Sequence, residues 1–284
     1  MKLGLFIPTY NAGNEFEKVL SEIDDSLNQL GFEVERLIID SFSDDNTVSI
    51  AEKHGFDVKK ISRKEFTHGE VRRRAAISLK NCEYIIYMTQ DVFLHKNAIK
   101  EILNFIINHP NMAVAYGKQE SDVLKTNILE QRSREFNYPN VSQIKSKKDI
   151  PKLGIKTVFS SDAFSIYRWK LLMKIGSFPK GVKYCEDMFI AAKAINSGYE
   201  VGYCANAVVT HSNKMNLKQQ FKRYRSIGAF HKQNPWIQDE FGSNESEGIK
   251  MVVSEWKFLF KKNKMYLIPY SFFMKVIKFI AYKF

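Results

Sequence analysis

Between residue 3 and about residue 118, short apolar runs alternate with longer segments whose apolar residues recur every three or four positions. LGLFIPTY at 3–10 predicts a strand, and 14–30 an amphipathic helix closed by Gly31. VERLIID at 34–40 predicts a second strand followed by a helix over 44–54, and DVKKI at 57–61 a third strand followed by the helix GEVRRRAAISLK. EYIIYMT at 83–89 is a fourth strand, NAIKEILNFIINH a helix, and MAVAYG at 112–117 a further strand. This alternation predicts an α/β fold with a mostly parallel sheet and helices on both faces. Ligands of such sheets bind beyond the carboxyl ends of the strands. Asn11, the cluster from Asp40 to Asp45, and the lone acid Asp91 each lie just past a strand, so they are expected to meet in one crevice.

The second half is less regular. A polar loop is expected near 136–157, a strand at AFSIYRW, a helix from Asp187 to Ser197, short strands at YEVGYC and AVVTH, and a helical tail from about Lys214. At 284 residues, the chain is long enough for one large domain with an appendage. The odd set Cys82, Cys185 and Cys204 has no metal-ligand spacing and reads as reduced packing residues. The first residues, MKLGLFIPTYNAGNEF, run quickly into Pro8 and polar positions, unlike an export signal. The net charge of +12 asks for an anionic partner.

Much of that charge is local. Residues 250–284 hold eight lysines against the single acid Glu255. A helix after Pro269 would put Phe273, Val276, Ile277, Ile280 and Phe284 on one face, with Lys275 and Lys278 on the other. The longest uncharged run, 265–274, is far short of the roughly 20 residues that span a bilayer. The tail therefore reads as a surface for an anionic membrane. Packing against the catalytic domain or a second subunit is the alternative, and a homodimer is compatible with either.

PTYN at 8–11 together with IIDSFSDDNT at 38–47 resembles the nucleotide-binding half of glycosyltransferases of the GT-A fold, especially the large inverting family two. The resemblance implies a nucleotide-sugar donor held by Pro8, Thr9, Tyr10 and Asn11, with Thr9 and Tyr10 on the base. It implies that Asp40 bonds base or ribose, and that Ser43 with Asp44 or Asp45 supports the loop. Helix capping alone would also favour Asp44. EFTHGEVRRRAA at 65–76 resembles the F-x-H-G-x-x-R-N segment of rhamnosyltransferases in Phe66, His68, Gly69 and Arg72, with Arg73 in place of Asn. Gly69 would let an anion approach a helix N-terminus and Arg72 would add a phosphate contact; a solvated basic helix face is the plainer reading.

In TQDV, Gln90 and Asp91 resemble the Q-D pair that rhamnosyltransferase-like members carry where others have an acidic triplet. The resemblance makes Asp91 a ligand of Mg²⁺ or Mn²⁺, with His211 in VVTHSN as the second ligand. YCEDMF makes Asp187 the general base and Glu186 a residue that orients the acceptor. As acids at a helix N-terminus the two would simply be ionised, with normal or lowered pKa. Ser161 and Asp162 fall where the family lines its acceptor pocket, and Arg223 and Arg225 where a helix approaches the diphosphate.

Together these segments imply a donor-binding half over 1–118, an acceptor-binding and catalytic half of the same domain over 119–232, and a basic helical tail over 233–284. The implied enzyme is a metal-dependent inverting glycosyltransferase in the cytoplasm, peripheral on the inner face of the membrane. It would move L-rhamnose from dTDP-L-rhamnose to a lipid-linked or membrane-proximal glycan acceptor in a bacterial surface polysaccharide. UDP-galactose or UDP-N-acetylglucosamine is the alternative donor. A nucleotidyltransferase is disfavoured because IPTYNAGNEF lacks a Gly-rich phosphate loop with a basic residue. A nucleic-acid-binding protein is disfavoured because the charge concentrates in an amphipathic tail and no nucleic-acid module is recognisable.

Overall fold

The computed structural model describes residues 1–212 and 215–284. Its strands are β1 Leu3–Thr9, β2 Val34–Asp40, β3 Asp57–Lys60, β4 Tyr84–Met88, β5 Val92–Leu94, β6 Met112–Glu120, β7 Gln143–Lys145, β8 Phe164–Arg168 and β9 Glu200–His211. The helices are α1 Phe16–Asn28, α2 Thr47–Lys53, α3 His68–Ser78, α4 Ala98–Ile107, α5 Ile128–Asn137 and α6 Ile150–Leu153. They continue with α7 Trp169–Lys174, α8 Glu186–Asn196, α9 Leu217–Gln233, α10 Pro235–Phe241, α11 Asn244–Lys261 and α12 Ile268–Lys283. One sheet runs β3-β2-β1-β4-β8-β6-β9-β5, with β7 also pairing β9. β1, β2, β3, β4, β6 and β9 share one direction, and β5, β7 and β8 oppose them.

Period-two alternation sends side chains of each central strand into two separate cores. Leu5 and Ile7 of β1, Ile86 and Met88 of β4, and Ile166 of β8 pack with Phe16, Leu20 and Ile23 of α1 and Ile99, Ile102 and Ile106 of α4. Phe6, Ile85, Tyr87 and Tyr167 face the other way, onto Val71 and Ala75 of α3 and Ile190 and Ala194 of α8. The strands therefore read as near-continuous apolar runs because both faces are covered. Their carboxyl ends share one edge, and β8, running in reverse, starts there. Residues 8–10, 89–91, 119–121 and 160–163 thus meet although they are far apart in the chain.

Several expected elements differ. YEVGYC and AVVTH are one strand, β9, whose pairing to β6 jumps from Gly117–Cys204 to Lys118–Val208; this irregularity looked like a loop in the sequence. The expected loop at 136–157 contains the end of α5, β7 and α6, and neither α5 nor β5 was legible in the sequence. The tail's expected start at Lys214, with Asn213 of VVTHSN, lies outside the described residues.

The tail is oriented opposite to the pattern's simplest reading. α12 lies along α9 so closely that a Cβ on Gly228 would sit 1.9 Å from the Tyr282 carbonyl oxygen. Ser271 and Ala281 are buried, and Lys275 points inward to the buried Glu255 of α11 at 3.0 Å. Phe272, Phe273, Val276, Phe279, Ile280 and Phe284 face outward and are exposed. Ser271, Ala281, Lys275 and Tyr282 pack, and these phenylalanines do not. No helix among the described residues is long and apolar enough to cross a membrane.

Candidate active site

The shared edge of the sheet opens into a cleft of about 790 Å³. Its first wall is made by the ends of β1 and β4 and the residues after them; Asn11 and the cluster from Asp40 to Asp45, expected in the crevice, do not line it and brace that wall instead. Asp40 is fully buried: one of its oxygens accepts from Thr9 Oγ1 (2.8 Å) and Ser43 Oγ (2.6 Å), and the other from Ser43 N (2.9 Å). Expected to meet base or ribose, it instead ties β1 to the loop after β2, and a ligand would have to exchange one of these bonds. Asn11 adopts φ 42°, donates its backbone N–H to Ser43 Oγ, and exchanges two side-chain bonds with Asp44. Asp45 receives the Gly13 N–H. Both Asp44 and Asp45 therefore brace the loop. Gln90 uses its whole amide on the Tyr10 backbone, accepting from N at 2.8 Å and donating to O at 3.0 Å. It positions Tyr10, whose exposed ring carries the Arg63 guanidinium at 4.1 Å. Pro8, Thr9 and Tyr10 line the cleft.

The second wall is an acid cluster on one buried cation. Arg72 of α3, 3 % exposed, reaches Glu186 Oε1 at 2.6 Å and Asp162 Oδ2 at 3.0 Å. Asp162 also accepts from Ser165 Oγ and from Tyr167 Oη, both at 2.7 Å. The expected roles shift accordingly. Arg72 does not stand free for a phosphate, and Glu186 and Asp162 are committed to it before any acceptor arrives. Gly69 is required, but not by an anion: a Cβ there would lie 2.1 Å from the Pro179 carbonyl oxygen, and the Gly69 N–H donates to Val182 O at 3.0 Å. Arg73 is engaged by Glu70.

Asp187 sits beside this cluster at the start of α8, half-buried and lining the cleft, with one oxygen accepting the Met188 N–H at 2.7 Å. No Lys or Arg nitrogen among the described residues lies within ion-pair distance of it. Helix-terminal acids were expected to be ionised at normal or lowered pKa; here burial, then the charge of Asp162, pushes the Asp187 carboxyl up despite Arg72. Burial likewise raises Glu186 against the pull of Arg72. Three carboxyls around one guanidinium exceed what it can neutralise, so low dielectric wins over the helix dipole. His68, between the rings of Phe66 and Tyr184, is held at about 3 by burial and by Arg72 and Arg223, and is neutral. Its Nδ1 is buried without a partner, and the residue lines the cleft.

The structure brings Asp91 and His211 together, 120 residues apart in sequence, with Oδ2 and Nε2 at 3.2 Å. Gln119 Oε1 lies 3.0 Å from His211 Nδ1, and Gln119 Nε2 donates to Ser161 Oγ at 2.7 Å. Gln119 beside Nδ1 fixes the ring of His211 with Nε2 toward the Asp91 carboxylate. A carboxylate and an imidazole nitrogen at this separation can hold a proton or a metal ion between them. Burial pushes the Asp91 carboxyl up, but the hydrogen bond and charge of His211 outweigh it and hold it at about 2. The pair fits a hard cation, as one carboxylate and one imidazole. Among the described residues no third His, Cys, Asp or Glu joins them, so further ligands would be diphosphate and water oxygens.

Sequence reasoning missed Gln119, Arg134 and Tyr138, which line the same cleft from β6, from α5 and from the residue after α5. Arg134 donates to Gln119 Oε1 and lies 3.4 Å from His211 Nδ1. No strand-end motif marks these residues, because α5 itself had no legible pattern. Of the two arginines expected near the diphosphate, Arg223 lines the cleft and Arg225 does not.

A single sheet with a nucleotide-type crevice at its carboxyl edge, paired acids at a helix start and a carboxylate–histidine pair defines a GT-A glycosyltransferase architecture. The chain belongs to glycosyl transferase family 2, whose model matches residues 5–176. It is 40% identical over 284 residues to the O-antigen chain rhamnosyltransferase WbaN of Salmonella anatum, covering 98% of this chain and 87% of that protein. It is 41% identical to the O-antigen chain rhamnosyltransferase RfbN of Salmonella typhimurium, covering 100% and 89%. The fold is also that of a mannosyltransferase from Pyrobaculum calidifontis solved with GDP-Man and Mn²⁺, at TM-score 0.60 and 12% identity, covering 98% of this chain and 85% of that one.

Proposed function

We propose that this family 2 enzyme transfers L-rhamnose, with inversion, from dTDP-L-rhamnose to a hydroxyl of a membrane-linked glycan in bacterial surface polysaccharide synthesis. The observation that carries the transfer chemistry is Asp187. Among the described residues it is the one acid of its cluster without an ion-pair partner, it lines the cleft, and its pKa lies above the ordinary carboxylate range, closer to the working pH where a general base is effective. Asp187 takes the acceptor proton as the oxygen attacks the anomeric carbon. Arg72 and Glu186 hold the start of α8, and therefore Asp187, in place. Asp91 and His211 would hold Mg²⁺ or Mn²⁺, and the ion would supply positive charge to offset that on the departing diphosphate. Arg134 and Arg223 add fixed positive charge.

Rhamnose is favoured by the likeness to two O-antigen rhamnosyltransferases along nearly the whole chain. An acceptor at the membrane is favoured by the outward aromatic face of α12 and by the exposed Lys257, Lys261 and Lys262 of α11 and the turn after it. In this reading the enzyme works from the cytoplasm on the inner leaflet. Competition binding of dTDP-L-rhamnose against UDP-galactose and UDP-N-acetylglucosamine, followed by donor hydrolysis, tests the donor. Preference for dTDP-rhamnose is expected; a clear preference for a UDP-sugar removes rhamnose while leaving glycosyl transfer standing.

A further inference from the structure

α12 is not only an outer layer: its inner face reaches the cleft. Lys278 lines it beside Arg223, Tyr224 and Ile227 of α9. Its ammonium lies 5.4 Å from the centre of the Tyr224 ring, and its side chain is half-buried. The neighbouring lysines of α12 are neutralised, Lys275 by Glu255 and Lys283 by Glu245. Among the described residues Lys278 has no carboxylate within ion-pair distance, and neither does Arg223. The helix cannot easily swing away. Gly228 admits the Tyr282 carbonyl, the Gln238 amide donates to Tyr282 Oη at 2.5 Å, and Lys232 Nζ donates to Lys283 O at 2.7 Å. A lysine fixed over an aromatic ring, beside a second unpaired cation, is a point charge waiting for an anion.

We propose that Lys278, with Arg223 beside it, binds a phosphate group carried by a substrate, so that the C-terminal helix is part of the active site. The inference rests on the glycosyl-transfer reading only for what carries the phosphate. Two sources share this chemistry: the diphosphate of the nucleotide sugar, and a phosphate joining the acceptor glycan to its lipid. The position of Lys278, on a helix whose opposite face is the apolar surface of Phe272, Val276 and Phe279, favours the lipid-borne source.

The test compares the full chain with Lys278→Ala and Lys278→Arg, with Lys80→Ala, exposed after α3 and away from both cleft and tail, as a control. One arm measures dTDP binding by calorimetry. The other measures co-sedimentation with phosphatidylcholine vesicles containing a polyprenyl diphosphate, against phosphatidylcholine alone. Neither arm needs turnover, so a wrong donor sugar does not obscure the result. Loss of a charge-assisted phosphate bond is expected to weaken binding about tenfold or more in the polyprenyl diphosphate arm for Lys278→Ala. Lys278→Arg should retain binding, and melting temperatures should not change. The same loss confined to the dTDP arm would also support a phosphate site and assign it to the donor. Unchanged binding in both arms overturns the proposal. So does an equal loss in Lys278→Ala and Lys278→Arg accompanied by a lowered melting temperature, which would make Lys278 a packing residue.

Discussion

Replacing Arg72 by Met keeps much of the side-chain volume and removes the one cation that Asp162 and Glu186 share. Arg72 and both acids are almost fully buried, so screening by solvent is slight. Breaking a buried pair in this way costs about 3–5 kcal/mol, because the remaining charges are left uncompensated. At roughly 2–4 °C per kcal/mol for a domain of this size class, the midpoint should fall by about 6–20 °C. The pH dependence separates this cause from lost packing. Glu186 and Asp187 already have folded pKa values above their unfolded ones. The folded state therefore binds more protons than the unfolded state, and stability falls as pH rises through that window. Without Arg72 both values rise further, so the penalty should be large at pH 8 and shrink toward pH 5, where the carboxyls are neutral. Urea unfolding of both proteins at the two pH values measures this, and adding Glu186→Gln to the variant should recover part of the loss at pH 8. A penalty equal at both pH values, or below about 1 kcal/mol, would refute the view that Arg72 acts by neutralising carboxyls.

Asp187→Asn should lower kcat by roughly a hundredfold or more with donor affinity nearly unchanged, and should remove the acid limb of the wild-type pH–rate profile; near-normal turnover would sink its role as base. Asp91→Ala should abolish the increase in nucleotide affinity that Mn²⁺ gives, and His211→Ala should reduce it, as read by calorimetry with and without the ion. Gly69→Ala should destabilise by about 1–3 kcal/mol, because the Pro179 carbonyl must retreat, and a thermal melt that shows no change would mean that the loop yields freely. Deleting residues 265–284 should impair transfer even to a soluble acceptor analogue, since it strips α9 and removes Lys278 from the cleft; unimpaired transfer would make the tail a detachable anchor.

The sequence by itself determined the α/β alternation of the first half. Each of those elements is set by local periodicity, and the apolar runs of β1, β2 and β4 are continuous because helices cover both faces. It also placed Asp91 at the sheet's working edge, since strand ends are local features, while Asp187 and His211 were added by the family resemblance of YCEDMF and VVTHSN. Only the tertiary structure decided what these residues face. Gly69 looked like a place for an anion, and Arg72 like its partner, because spacing along α3 cannot show that the 179–182 segment and two distant acids fill that space. The raised carboxyl of Asp187 likewise depends on burial and then on Asp162, which the loop before β8 brings in; a helix N-terminus alone predicts the opposite shift. α12 makes the same point on the surface. Its pattern identified two faces, but which of them packs was settled by Glu255 on α11 and Gly228 on α9, which hold Lys275 and Tyr282 inward and leave Phe272, Phe273 and Phe279 outside.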